Sequence, residues 1–384
     1  MVKLSDIFTL QMGKTPARAK SSYWNNGSNS WVSISDLSTF NKYVGKTKET
    51  ITDLAVVESG IKPVPADTVI MSFKLSLGKT AITVSPVYTN EAIMAFIPNG
   101  NYEVDPNYFY HLFSGRDWTK GTNRAVMGVT LNKATLNDIE VSLPALAEQR
   151  EIAANLDKVD ELIFLRKQQL EQLEELVKAR FIELFGDPSS NPMGWKETTV
   201  GEECHYIKDG PHKSLPDVGE GNGYPFISVR NIVNGHIDFS TAKYISKQDY
   251  LDSIKKCHPQ KGDMLYSKGG TTGIAKLVDV DVEFANWVHV AVLKFDASLN
   301  GIFFENMLNS DYCYDQSQKL TKGIANRDLV LSAMAQIKMY KPPLELQEQF
   351  AAFVEQTEKS KLAVQQSIAE LEELKKSLMQ KYFG

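Results

Sequence analysis

Two stretches of the chain space their apolar positions by alternating steps of four and three. In 144–186 these positions are Ile152, Leu156, Val159, Ile163, Arg166, Leu170, Leu173, Val177, Arg180 and Leu184. In 342–384 they are Phe350, Val354, Thr357, Lys361, Val364, Ile368, Leu371, Lys375, Leu378 and Tyr382. Each is a heptad seam with a few polar interruptions. The interiors lack Gly and Pro and are rich in Glu, Lys, Gln, Leu and Ala, which are strong helix formers. Each stretch therefore predicts a long helix, roughly 33 residues or about 50 Å at about 1.5 Å per residue. A helix of that length with one apolar stripe needs a partner, and the nearest candidate is the other stretch. A parallel pair would need a connection of helix length, and the linker 187–199 has to serve another purpose. The expected pair is antiparallel.

The two stretches are also copies of one another. Pro144, Leu146, Gln149, Ala153-Ala154, Leu173-Glu174-Glu175-Leu176 and Phe185-Gly186 fall without a gap on Pro342, Leu344, Gln347, Ala351-Ala352, Leu371-Glu372-Glu373-Leu374 and Phe383-Gly384. There are 13 identities over the 43 aligned positions, so the chain is a tandem duplication.

Outside the helices the pattern shortens to β-like runs between polar turns. In 1–143 these are 4–8, 31–34, 68–72, 81–84 and 92–97, with 108–113 helical. The segment Phe185-Gly186-Asp187-Pro188-Ser189-Ser190-Asn191-Pro192-Met193-Gly194-Trp195 reads as a linker. Beyond it the plan returns: Phe226-Ile227-Ser228-Val229 matches Trp31-Val32-Ser33-Ile34, and 262–267 is aligned with 66–71. Gly273 is aligned with Gly78 after a one-residue gap, and 288–295 is the second buried strand. The expected fold is α+β. Two β-rich heads, 1–143 and 187–341, are held apart by the antiparallel helices 144–186 and 342–384 in a pseudo-twofold arrangement.

Composition changes this picture little. No run approaches the ~20 apolar residues of a membrane span, and the N-terminus shows no apolar signal segment. Three cysteines, Cys204, Cys257 and Cys313, fit a reducing cytoplasm. Net charge is −5, divided as +2 in 1–143, −3 in 144–186, −2 in 187–341 and −2 in 342–384. An acidic rod with near-neutral heads binds DNA poorly alone unless its positive charge is gathered on one face of each head.

Candidate chemistry is sparse. Gly-Lys-Thr at Gly13, Gly45 and Gly78 lacks the glycine five positions earlier that a phosphate loop requires, since Phe8, Phe40 and Phe73 stand there. Asn191-Pro192-Met193-Gly194 lacks the second proline of the methyltransferase loop it faintly resembles. Cys257-His258 has no second ligand pair at zinc spacing. No metal site and no catalytic constellation is expected, which disfavours a nuclease. Glycine-rich basic loops disfavour a purely structural coiled coil.

The repeated Pro-x-Leu-x-x-Gln, the Phe-Gly-Asp-Pro…Asn-Pro-x-Gly-Trp linker and the loop Ser267-Lys268-Gly269-Gly270-Thr271-Thr272-Gly273 carry a resemblance across the whole chain. It resembles the specificity subunit of type I restriction–modification systems, although Ala145 stands where Pro343 keeps the usual proline. The resemblance implies that each head is a target recognition domain reading half of a split sequence in double-stranded DNA. It implies that the helices set the spacer and that the subunit has no catalysis or cofactor of its own. The implied partners are two methyltransferase subunits using S-adenosylmethionine on adenine, and motor-nuclease restriction subunits using ATP and magnesium. Service to a related combined nuclease–methylase remains the alternative within DNA binding.

Base edges and phosphates are read by Arg, Lys, Asn, Ser, Thr and related side chains. The candidates in the first head are Lys14, Arg18, Lys20, Tyr23, Lys74, Lys79, Arg116, Lys120, Asn123 and Arg124. In the second they are Lys208, His212, Lys213, Arg230, Asn231, Lys268, Thr271, Thr272, Lys322, Asn326 and Arg327. The clusters 268–272 and 322–327 stand out because glycines there would let backbone approach a phosphate. Trp24 and Trp287 are read as anchors rather than base-stacking groups. Candidate partner contacts are Leu146, Gln149, Phe181 and Phe185, with Leu344, Gln347, Met379 and Phe383 as their equivalents.

Overall fold

A computed structural model of the chain describes residues 1–74, 76–118, 131–324 and 326–384. It divides into two compact units, Met1–Lys167 with Gln366–Gly384, and Gln168–Gln365. Each unit combines one β-rich head with a segment of each long helix, so the fold is α+β in both.

The long helices span Leu146–Phe185 and Leu344–Phe383, 40 residues each. At about 1.5 Å per residue each is about 60 Å long. They exceed the seam because the Leu-x-x-Gln turn before it is already helical. Every seam position except Arg166 is buried or half-buried. Within the first unit Asp160 pairs with Lys375 at 2.5 Å and Lys167 with Glu372 at 3.5 Å. Rising numbers on one segment meet falling numbers on the other, which makes the pair antiparallel. Within the second unit Glu174 meets Lys361 at 3.7 Å, and Phe181 and Phe185 pack on Phe350. That pair is antiparallel too.

The first head is built on a four-stranded antiparallel sheet in the order Phe8–Met12, Ile93–Pro98, Val69–Ser72, Thr80–Ile82. Both faces are covered, so Ile93-Met94-Ala95-Phe96 reads as a continuous apolar run. Met94, Phe96, Val69 and Met71 join a core with helix Pro106–Gly115 and with Ile152, Ala153 and Leu156 of the first long helix. Ile93, Ala95 and Ile70 face a second core that contains Val32, Leu37 and Val44. The second head repeats this with Cys204–Asp209, Val290–Phe295, Met264–Ser267 and Ala275–Leu277. Met264, Tyr266, Ala291 and Leu293 lie on one face, and Leu265, Val290 and Val292 on the other. Each head also has a three-stranded sheet, in which Trp31-Val32 and Phe226-Ile227 hold matching places.

Three local expectations need correction. Leu4–Ile7 is a helical turn, because Leu4 and Ile7 both point into the core at helical spacing. The strand at Trp31 ends at Val32, because Ser33 caps a helical turn over Ile34–Leu37 through a reciprocal bond with Asp36. The alignment of 262–267 with 66–71 is one residue out. Val69 pairs with Ile82 as Met264 pairs with Leu277, and Asp67 and Gly262 are the matching residues at positive φ, 55° and 92°. A one-residue slip would exchange the two faces of the strand. Among the described residues no helix is long and apolar enough to cross a membrane.

Candidate nucleic-acid interface

In the second head the two clusters that stand out in the sequence meet. Gly269 forms an antiparallel bridge with Asp328, Gly270 N donates to the Arg327 carbonyl at 3.1 Å, and Leu329 N donates to the Lys268 carbonyl at 2.7 Å. Beside this pairing lies a cleft of about 630 Å³, lined among others by Arg230, Gly269, Gly270, Trp287, His289, Asn326 and Arg327. Three DNA candidates from separate parts of the sequence, Arg230, Asn326 and Arg327, are thus gathered in one place, and all three are exposed. The Arg230 Nη2 donates to the Thr241 carbonyl at 2.8 Å. The Arg327 Nη2 donates to Gln318 Oε1 and, at 3.5 Å, to Thr272 Oγ1. These acceptors are neutral, so they orient the guanidinium groups without cancelling their charge.

Asp328, which also lines the cleft, belongs to an ionic cluster behind it. Lys268 is 5% exposed and lies 2.9 Å from Asp328 and 3.5 Å from Asp209. Asp209 also accepts from Lys256 at 2.8 Å, and His212 Nε2 lies 3.3 Å away. Burial alone would raise the Asp209 carboxyl. The Lys256 hydrogen bond and the charges of Lys256 and Lys268 outweigh it and hold the group below the usual carboxylate range.

Several second-head candidates are therefore structural. Lys268 is consumed by its two carboxylates. Thr272 is 1% exposed and bonded to Thr321 Oγ1 at 2.9 Å. Asn231 is 1% exposed: its Oδ1 accepts from Ser228 N and Oγ, and its Nδ2 donates to the Asp238 carbonyl. The backbone N–H groups of Gly269 and Gly270 donate to the His289 and Arg327 carbonyls, so they are not offered to a phosphate. Gly269 is glycine for another reason: a Cβ there would lie 1.9 Å from the His289 ring. Lys208, His212, Lys213, Thr271 and Lys322 are exposed, with Lys213 3.7 Å from Asp249. Trp287 lines the cleft, a role that reading it as an anchor misses, and so does His289. Trp287 Nε1 and His289 Nδ1 have no hydrogen-bond partner among the described residues. Only the repeat signals them, because they sit where the first head has Asn90 and Ala92.

The first-head candidates are more neutralised. Arg18 is paired with both oxygens of Glu49 and lies over the Trp24 ring, 3.8 Å from its centroid. Trp24 itself is an anchor, edge-on to Trp31 with its Nε1 on the Ala17 carbonyl. Lys20 pairs with Glu58, and Tyr23, 7% exposed, bonds to the same carboxylate. Lys14 donates to the Ser59 carbonyl. Lys79 and Arg116 are exposed and Lys74 is half-buried. Lys120, Asn123 and Arg124 lie outside the described residues.

The family model for the type I restriction modification DNA specificity domain matches residues 1–175 and again 192–373. The chain belongs to that family. It is 26% identical over 311 residues to a type I restriction enzyme specificity subunit, MjaIX, of Methanocaldococcus jannaschii, across 76% of this chain and 71% of the relative. It is 30% identical to the EcoR124I/EcoR124II specificity subunit of Escherichia coli, across 45% of this chain and 46% of the relative. The EcoprrI specificity subunit of E. coli is 21% identical across 97% of this chain and 90% of its own. Among solved structures, the S subunit of the M. genitalium type I system aligns with 100% of this chain and 95% of its own, at TM-score 0.57 and 15% identity. A protein from a study of type I system assembly aligns with 99% of this chain and 96% of its own, at TM-score 0.64 and 21% identity. This chain is a DNA-recognition subunit without catalytic function.

In this specificity subunit most of the partner-contact candidates turn inward. Gln149 is 1% exposed: its Oε1 accepts from Asp105 N at 2.9 Å, and its Nε2 donates to the Glu103 and Pro144 carbonyls. Gln347 is 0% exposed: it accepts from Asn300 N and donates to the Pro342 carbonyl, both at 2.8 Å. Asp105 and Asn300 are the N-caps of helices Pro106–Gly115 and Gly301–Leu308. The repeated glutamine is thus an internal clamp between head and long helix. Phe181 and Phe185 are buried against Phe303 and Phe350, and Met379 and Phe383 are half-buried against the first-head core. A buried side chain has no surface left for a partner. Leu146, Met379 and Phe383, half-buried, and Leu344, 37% exposed, keep some.

Proposed function

We propose that this chain reads a bipartite sequence in double-stranded DNA, one half with each head, for a type I restriction–modification complex. In that complex two methyltransferase subunits act on adenine with S-adenosylmethionine, and restriction subunits supply an ATP- and magnesium-dependent motor and nuclease. The long helices set the spacer between the half-sites, and the complex works in the cytoplasm. The reading is carried by the convergence of Arg230, Asn326 and Arg327 on one cleft, with neutral rather than acidic tethers on both arginines. Uncancelled guanidinium groups in a cleft suit nucleic-acid edges and phosphates.

The test is a head exchange. Residues 1–143 are replaced by the corresponding head of another specificity subunit, the chain is assembled with its methyltransferase partner, and methylated sites are mapped. One half of the target should change, with the other half unchanged. A change in both halves, or in neither, would show that the heads are not independent readers.

A further inference from the structure

We infer that Arg327 reads a guanine in the half-site taken by the second head. The inference rests on the DNA-reading function proposed above and adds the residue and the base. Guanine presents two acceptors, N7 and O6, to the major groove, and a planar guanidinium matches them with two parallel N–H bonds. For this an arginine must be fixed in place, free of carboxylate and accessible.

Arg327 meets the three conditions. Its backbone is held, since its carbonyl accepts from Gly270 N and the neighbouring Asp328 exchanges both backbone bonds with Lys322 at 2.9 Å. Its side chain is tethered through Nη2 alone, to Gln318 and Thr272, and Arg has five N–H donors. The nearest acidic residue in sequence, Asp328, is committed to Lys268. The residue is exposed on the cleft.

Arg230 shares the cleft and also has a neutral tether through Nη2, but only one, to the carbonyl of Thr241 on its own loop, where Arg327 has two from separate segments. Arg18 in the first head fails the second condition, since both oxygens of Glu49 occupy its fork. Serine stands where the first head repeats Arg230, at Ser35, and its hydroxyl is shared with Ser33 at 2.9 Å. The two heads therefore present different donors at matching places, as reading different half-sites requires.

The experiment uses the full chain with its methyltransferase partner on a DNA library randomised across the second half-site. The parent complex should demand guanine at one position there. Arg327→Gln and Arg327→Lys should each lower that preference roughly 10- to 100-fold, from the ~1–3 kcal/mol worth of a bidentate contact. The first half-site should not change. Lysine keeps the charge and loses the fork, so it separates base reading from phosphate binding. Gln318→Leu, which removes a tether and leaves Arg327 in place, should weaken preference at the same position by less.

Uniform weakening by Arg327→Gln across all sequences, restored by Arg327→Lys, would make Arg327 a phosphate contact and overturn the inference. An unchanged profile in both Arg327 variants would overturn it as well. A parent complex with no bipartite methylation pattern would overturn the functional reading itself, and this inference with it.

Discussion

The two heads build the same corner from opposite materials. Where the hairpin loop leaves the central strand, the first head has Phe73, 1% exposed and part of its main core. The second head has Lys268 there, 5% exposed and held by Asp209 and Asp328. Asp209 in turn occupies the place of Met12, since Met12 pairs with Met94 as Asp209 pairs with Ala291. The framework around both corners is unchanged: Ser72 Oγ accepts from Lys79 N as Ser267 Oγ accepts from Ile274 N. The duplication has kept the hydrogen-bonded skeleton and freed the loop chemistry. Phe73 seals the corner of the first head, with Met12 left half-exposed, and an ionic corner ties three separate segments together behind a cleft in the second.

The comparison breaks most visibly at that ionic corner. Lys268→Ala removes a buried cation from Asp328, which is partly exposed, and from Asp209, which keeps Lys256, so the loss should fall below the about 3–5 kcal/mol of a fully buried pair. Replacing the pair together, Lys268→Phe with Asp209→Met, copies the first head and should recover much of the loss, because well-packed apolar substitutes for buried ion pairs are often neutral. Hydrogen exchange of the amides in Met264–Ser267 and Ala275–Leu277 measures this locally. A double variant as unstable as Lys268→Ala would show that the corners are not interchangeable. Acid should act on the second head in the same sense. The Asp209 pKa is lower in the folded chain, so its contribution is complete above the unfolded value of about 3.9 and is lost as pH falls through the folded value. The apolar double variant should lose that portion of the pH dependence.

Where the heads agree, they should respond alike. Gln149 and Gln347 make the same clamp, from the start of a long helix to the N-cap of a head helix. Gln149→Ala and Gln347→Ala each strand a buried backbone N–H and carbonyl, at about 1–3 kcal/mol. Matching destabilisation of the isolated chain by both variants is expected in denaturant unfolding. Unchanged stability with lost methyltransferase binding would return these glutamines to the role of partner contacts.

This clamp marks where the sequence is legible and where it is not. The seam from Ile152 to Leu184 can be read because a helix buries residues by period, whatever lies beside it. The duplication can be read because Pro-x-Leu-x-x-Gln recurs in register. The role of the glutamine cannot, since a repeated polar residue looks the same whether it faces a partner or a buried N-cap. The glycine loop and 322–327 stand out singly, but their meeting depends on the bridge of Gly269 to Asp328, 59 positions away, which no local pattern encodes. Lys268, Thr272 and Asn231 look like DNA contacts by residue type alone, and burial removes them. The strand alignment of the heads slips by one because Asp67 stands where the repeat has Gly262, which hides the shared turn.

The smallest expected effect sharpens the contrast between two arginines. Arg18 and Arg327 are both exposed candidates in basic loops, yet one is paired with a carboxylate and the other is not. An exposed pair such as Arg18 with Glu49 is worth about 0–1 kcal/mol to stability. Arg18→Gln removes a charge that Glu49 already balances, so specific binding by the assembled complex should fall by less than about 1 kcal/mol. The partner substitution is more informative. Glu49→Gln uncovers the guanidinium, and if the loop lies along DNA the released charge should steepen the salt dependence by about one phosphate, close to 0.9 in the slope of log K against log salt. Titration of the complex with target DNA between low and physiological salt reads this directly. An unchanged slope would mean that the Arg18 loop lies away from the backbone, leaving the first head to read its half-site through other residues.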